Sequence, residues 1–185
     1  MSRVLINMSN GSYGKYNIGK HSYGSIEIDG DYLLDEFTVG NFCSIGPNVS
    51  LNVKGWSHNP EWITTYPFEA FPNKWSNVKN IKKYPRTKRT LKIGNDVWIG
   101  RDTLILSGVE IGDGAVIGAN CVVSKDVPPY TIAVGNSIRF VKTRFSDEDI
   151  EFLLNLKWWD WSDDKINEHL TIINSGCISD LKKIT

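Results

Sequence analysis

No run of apolar residues in this 185-residue chain exceeds a few positions, far short of the ~20 that a membrane-crossing helix needs. A spanning helix is excluded. Excess charge of one sign is also missing, because Lys and Arg total 21 and Asp and Glu total 21. Without a net field to draw it to polyanions, a dedicated nucleic-acid-binding protein is disfavoured. Sulfur is scarce: Cys43, Cys121 and Cys177 are widely spaced and form no C-x-x-C pair, which argues against a disulfide framework or a zinc site and for plain thiols. The opening segment MSRVLINMSNGSYG has no apolar stretch of the kind a secretory signal requires, so a cytoplasmic protein is expected. What is present, 41% hydrophobic and 23% charged residues, suits one ordinary globular domain.

The chain repeats itself. From Ile93 it divides into IGNDVW, IGRDTL, ILSGVE, IGDGAV, IGANCV and VSKDVP, with an aliphatic residue leading each hexad and Gly following at positions 94, 100, 112 and 118. Neither the 3.6-residue period of a helix nor an uninterrupted strand fits this punctuation. A chain that runs straight for about four residues, bends, and runs straight again does fit, with one aliphatic side chain per segment aimed inward. Three such sides close a triangular coil, and stacked coils pair their strands in parallel while burying the aliphatic column. A looser block upstream keeps the same phase at Leu33, Val39, Ile45 and Leu51, and Ile18-Gly19 begins an earlier coil.

Residues 52–92 break the period, and they carry Pro60, Pro67, Pro72 and Pro85 together with Trp56, Trp62 and Trp75. So long an insertion in a compact domain has a functional role or no fixed structure, and its aromatic content favours the first. Within it, KKYPRTKRTLK (Lys82 to Lys92) is strongly basic; in a neutral chain it reads as a solvated loop rather than a nucleic-acid patch. After Val134 the pattern turns helical. Ser146 with Asp149 makes a capping-box-like start ahead of an Ile150, Leu153, Leu154, Trp158 stripe, and a second helix begins near Ser162 with Ile166, Leu170 and Ile173 on one face. These helices are expected to cover an open end of the coil stack, with Trp158, Trp159 and Trp161 in their packing.

Two segments carry a resemblance to a known family. Ser107 to Asn136, SGVEIGDGAVIGANCVVSKDVPPYTIAVGN, resembles the C-terminal coils of hexapeptide-repeat acyltransferases that use acetyl-coenzyme A. GNFCSIGPNVS followed by WSHNPEWITTYPF, with NDVWIG at Asn95 to Gly100, resembles their xenobiotic and polysaccharide O-acetyltransferase branch. The resemblance implies an all-β fold with C-terminal helices: a left-handed parallel β-helix over 1–145 with an active-site loop inserted at 52–92, and a helical cap over 146–185. It implies a homotrimer, with acetyl-coenzyme A as co-substrate and no metal.

The same resemblance implies site residues. His58 is the base that removes the proton from an acceptor hydroxyl, a task that a neutral imidazole suits. Arg101, Ser107, Gly108, Ala119, Ser124 and Lys125 line the coenzyme groove, with Lys125, Arg139, Lys142 and Arg144 the nearest cations for its phosphates. Trp56, Trp62, Tyr66 and Phe68 supply aromatic surface for the acceptor. That acceptor is expected to be a carbohydrate hydroxyl of a surface-polysaccharide precursor, since Ser57-His58-Asn59-Pro60 departs from the Asn-His pair of drug-modifying members. The alternatives are O-acetylation of chloramphenicol or a streptogramin, and N-acetylation of a nucleotide-linked amino sugar. An acetyl-cysteine route through Cys43 or Cys121 is disfavoured because both fall inside repeats. A γ-type carbonic anhydrase and a purely structural β-helix are the readings from other classes.

Overall fold

The computed structural model describes residues 3–8, 16–29, 34–53, 61–81 and 90–184. Among them are the strands β1 (Arg3–Asn7), β2 (Asn17–Ile18), β3 (Ser25–Asp29), β4 (Glu36–Val39), β5 (Ser44–Ile45), β6 (Val49–Asn52) and β7 (Thr90–Ile93). They continue with β8 (Trp98–Ile99), β9 (Leu104–Leu106), β10 (Val109–Ile111), β11 (Val116–Ile117), β12 (Val122–Val123), β13 (Thr131–Val134) and β14 (Arg139–Thr143). Three helices follow: α1 (Asp147–Leu156), α2 (Asp163–Ile173) and α3 (Ile178–Ile184).

The strands form three faces of a prism, which the chain visits in rotation. The first face has the order β10-β7-β4-β2, the second β14-β13-β11-β8-β5, and the third β1-β3-β6-β9-β12. Neighbouring coils pair in parallel and in register, as in Lys92 opposite Glu110 and Leu51 opposite Ile105, so each strand's amides are satisfied by the coil beside it. The hexad-leading residues Ile93, Ile99, Ile105, Ile111, Ile117 and Val123 are all buried, as are Val39, Ile45 and Leu51 upstream. Leu33 lies outside the described residues.

A second inward column, two positions before the first, was not anticipated. Its members include Leu91, Val97, Thr103, Val109, Ala115 and Cys121, and all are buried. Each short strand therefore aims two alternate side chains inward rather than one, as a period of two within a four-residue segment requires. Thr103 resolves its polar atom by donating from Oγ1 to the carbonyl of Gly118 at 3.2 Å.

The coils also reach further than the broken period suggests, since β6 runs through Asn52 and the next coil starts at Thr90. Another strand, β14, intervenes between the repeats and the helices. It pairs antiparallel with β13, with a register irregularity at Ile132/Ala133. At the opposite end β1 pairs antiparallel with β3. The two antiparallel strands flank the last rungs of their sheets, a task expected of the helices.

The helices begin where expected. Ser146 Oγ accepts from the Asp149 amide at 3.3 Å, and Ser162 Oγ accepts from the Lys165 amide at 3.3 Å. They pack along the first corner of the prism, the turns that join first face to second, instead of across an end. Lys20 Nζ donates to the Trp161 carbonyl at 2.7 Å, and Asn41 Nδ2 to the Trp159 carbonyl at 3.2 Å, contacts from two successive coils. Trp159 and Leu153 are buried in the resulting cluster with Tyr130 and Leu181. Of the Ile166, Leu170, Ile173 face expected on α2, Ile166 and Ile173 are partly buried and Leu170 is half exposed.

The first corner has its own side-chain ladder. The amide of Lys20 donates to Asn41 Oδ1 (2.9 Å), that of Asn41 to Asn95 Oδ1 (2.8 Å), and that of Asn95 to Asp113 Oδ1 (2.7 Å). A short amide or carboxylate side chain spans one coil spacing, so each turn is fastened to the next where the sheets themselves are interrupted.

Candidate active site

The insertion leaves the prism at the third corner, between third face and first, after β6 and before β7. The turn one coil on, Ser107-Gly108, holds both of its stems. The Ser107 amide donates to the Asn52 carbonyl at 3.1 Å and the Gly108 amide to the Thr90 carbonyl at 2.8 Å. Gly108 has φ +91°, a conformation that disfavours a Cβ, and open space where that Cβ would be. Ser124 and Lys125 follow on the next turn of this corner, both exposed. Lys125 Nζ lies 4.4 Å from the centre of the Phe140 ring on β14, which also carries Arg139 and Lys142.

Arg101 and Ala119 occupy the second corner, on the other side of the third face. A Cβ on Gly100 would come within 2.5 Å of the Ala119 amide nitrogen, so these turns stack with no room between them. Arg101 Nε donates to Asp102 Oδ2 at 2.7 Å, and Asn48 Nδ2 donates to Asp102 Oδ1 at 2.9 Å; these two bonds hold the Asp102 carboxyl below its ordinary pKa. The eight groove candidates thus lie at the two corners that flank the third face and on β14 at the edge of the second, instead of converging on one pocket. Arg144 is a different case. Its Nη1 donates to the Gly114 carbonyl at 2.7 Å and to Asp96 Oδ2 at 3.2 Å, which commits it to the first corner and removes it from the phosphate candidates.

The described part of the insertion, 61–81, builds an aromatic cluster over two short 3-10 helices, Phe68–Ala70 and Ser76–Asn80. Tyr66 stacks 5.7 Å from Phe71 and meets Phe68 edge-on at 4.8 Å, while Phe68 meets Trp75 edge-on at 5.2 Å. Tyr66, Phe71 and Trp75 nevertheless keep large exposed surfaces, and Ile63 is fully exposed. Phe71 joins this cluster without having been singled out; the Phe-x-x-Phe-x-x-x-Trp spacing from Phe68 to Trp75 was its signal. Trp62 is partly buried, and Trp56, His58 and the basic run 82–89 lie outside the described residues. Lys92, the last of that run, sits between Glu36 (3.4 Å) and Glu110 (3.3 Å) on the first face, so its charge is balanced locally.

Comparison with known proteins settles the family. The pattern described as "Bacterial transferase hexapeptide (six repeats)" matches residues 90–125. A probable macrolide acetyltransferase of Lysinibacillus sphaericus is 46% identical over 83% of this chain and 85% of its own length. The chain is a hexapeptide-repeat acetyltransferase. A chloramphenicol acetyltransferase of Escherichia coli is 36% identical over 95% of this acetyltransferase and 86% of its own length. Among solved structures, a hexapeptide-repeat-containing acetyltransferase of Vibrio cholerae superposes with a TM-score of 0.50 at 27% identity, covering 71% of this chain and 64% of that one. The coil of the acetyltransferase is accordingly the left-handed parallel β-helix of this family.

Two further placements bear on its chemistry. His21 Nε2 lies 3.0 Å from Asp163 Oδ1 and its ring 4.8 Å from that of Phe42, which ties the first corner to α2; the His169 ring, on α2, lies 5.9 Å from Trp161 just ahead of that helix. Cys43 and Cys121 are inward members of the second column, and Cys177 is exposed. Burial pushes the Cys43 thiol up to about 11, which leaves almost no thiolate to attack a thioester.

Proposed function

We propose that this acetyltransferase moves the acetyl group of acetyl-coenzyme A to a hydroxyl of an antibiotic of the macrolide or chloramphenicol type, with His58 as the base. The observation that carries this reading is the aromatic cluster around Phe68, with Tyr66, Phe71 and Trp75 exposed, on the segment inserted at the Ser107-Gly108 corner. Several rings beside a fully exposed Ile63 suit an apolar scaffold better than a polyhydroxylated sugar, which would call for more polar partners. The macrolide and chloramphenicol acetyltransferases among the relatives support the same choice. Among the acceptors weighed from sequence, this favours the drug over the polysaccharide precursor.

The corner fits a thin, flexible coenzyme arm. The space beside Gly108 admits close approach to backbone, and Lys125, Arg139 and Lys142 are exposed cations for phosphate. The exposed apolar residues Trp98, Phe140 and Val141 on the second face support a trimer in which a second copy closes the groove. With His21 and His169 engaged in packing, His58 takes the acceptor proton and the resulting oxygen attacks the thioester carbonyl, releasing the coenzyme thiol.

The test is thiol release from acetyl-coenzyme A with a macrolide, chloramphenicol, and a galactoside as acceptors, products being identified by mass. An acetylated drug with no sugar product is the expected result, and the reverse would overturn the acceptor. His58→Ala should reduce turnover by roughly 10²-fold or more, with its melting temperature unchanged. Full activity in that variant would remove the base.

A further inference from the structure

A cavity of about 280 Å³ lies between the three helices and the first corner, on the side of the coils away from Ser107-Gly108. Its prism wall carries Asp96 and Tyr130, Arg144 and Phe145 enter from the β14–α1 connection, and the helices contribute Trp158 and Ile172 among others. Tyr130 is 1% exposed, and its hydroxyl finds no hydrogen-bond partner among the described residues. Buried hydroxyls are almost always bonded, so one left open in the wall of a cavity marks the place of a ligand atom. Its ring is fixed from several sides: Phe145 at 5.7 Å, the Arg144 guanidinium at 5.3 Å, and the glycine at 114, where a Cβ would come within 2.5 Å of the Tyr130 ring. The hydroxyl therefore cannot swing away to find water without moving that packing.

We infer that this cavity is a second binding site, for a small neutral molecule with one oxygen acceptor and an apolar body of roughly ten heavy atoms. The acceptor end is set by Tyr130, a phenol being a better donor than acceptor. Neutrality follows from the Asp96–Arg144 pair, joined at 3.2 Å, because a ligand charge would enter a site already balanced and walled by side chains such as Leu153, Ile178 and Leu181. The volume, close to the lower end of small-molecule pockets at about 300 Å³, limits the body to a single ring or a short alkyl chain.

The experiment uses 4-fluoroacetophenone as the probe, read by fluorine NMR on the intact protein, with 1-ethyl-4-fluorobenzene as the same shape lacking the carbonyl. The ketone should bind at least five times more tightly than the hydrocarbon, and saturating coenzyme A should not displace it. Tyr130→Phe should erase the difference between the two probes. Asn174→Trp, a substitution from the exposed end of α2 into the cavity, should abolish binding of both while the melting temperature stays near that of the parent. Equal binding of the two probes, an unchanged preference in Tyr130→Phe, displacement by coenzyme A, or binding undiminished in Asn174→Trp would each overturn the site. Absence of binding up to the solubility limit, which leaves only water in the cavity, would overturn it as well.

Discussion

Two corners of the same coils have been put to opposite uses. At the first, the Asn41-Asn95-Asp113 ladder fastens one turn to the next, and the helices cover the outside. At the third, Ser107 and Gly108 offer backbone amides to the stems of an insertion, Lys125 stays exposed, and nothing among the described residues fills the space beside Gly108. One corner bonds its turns to each other and to the helices; the other holds the stems of the insertion and keeps a cation exposed. A β-helix gives all of its corners similar backbone geometry, so the side chains placed there decide how each one is used.

The comparison breaks most completely if the shared interior is damaged. Ile105 is fully buried in the middle of the leading column, and Ile105→Ala should cost about 3 kcal/mol. Denaturant or thermal unfolding should show both corners failing together, seen in Trp fluorescence and in coenzyme binding alike.

Removing the first corner's cation comes next. Burial raises the Asp96 carboxyl above its ordinary pKa and Arg144 opposes that rise, so the folded state keeps the proton to higher pH than the unfolded chain does. A raised acid loses stability as pH climbs through the window above about 3.9. Arg144→Met should lower stability by about 2 kcal/mol at neutral pH through the stranded carboxylate. Its deficit against the parent should shrink as pH falls and Asp96 takes up its proton. A deficit independent of pH would mean that Arg144 contributes through its bond to the Gly114 carbonyl, at 2.7 Å, and its packing on Tyr130 and Phe145 instead of through Asp96.

A smaller effect is expected from cutting one rung. Asn95→Ala deletes the acceptor for the Asn41 amide and should cost about 1 kcal/mol, with acetyl transfer retained at temperatures where the protein is folded. The smallest change in stability belongs to the third corner. Lys125→Ala should leave unfolding within a few tenths of a kcal/mol of the parent, yet raise the KM for acetyl-coenzyme A several-fold. If Asn95→Ala altered KM and Lys125→Ala altered stability, the division between the corners would be reversed.

The coil stack was legible because its signal is local and repeated. Every sixth residue from Ile93 to Val123 is aliphatic, a backbone of short strands needs nothing more to bury a column, and the parallel register then places Ile99 beside Ile45 and Ile117 without any further choice. The second column was less legible, since Thr103, Ala115 and Cys121 are too varied in polarity and size to read as one set. The acetyltransferase family was legible from motifs, and so were the helix starts at Ser146 and Ser162, where one side chain caps amides only three residues away.

What depended on distant partners was not legible. Arg144 read as one more exposed cation next to Arg139 and Lys142, and only the fold brings it to Asp96, 48 residues earlier. The docking of the helices on a flank, with Lys20 and Asn41 reaching the carbonyls of Trp161 and Trp159, is likewise a meeting of segments more than a hundred residues apart. Periodicity states what each residue needs, a buried or an exposed setting. The sequence by itself therefore determined the prism, its interior and the kind of chemistry its motifs serve. Tertiary structure decided which corner the helices cover, because a salt bridge, a ladder or a cavity exists only once chain segments without local relation to each other are held a few ångströms apart.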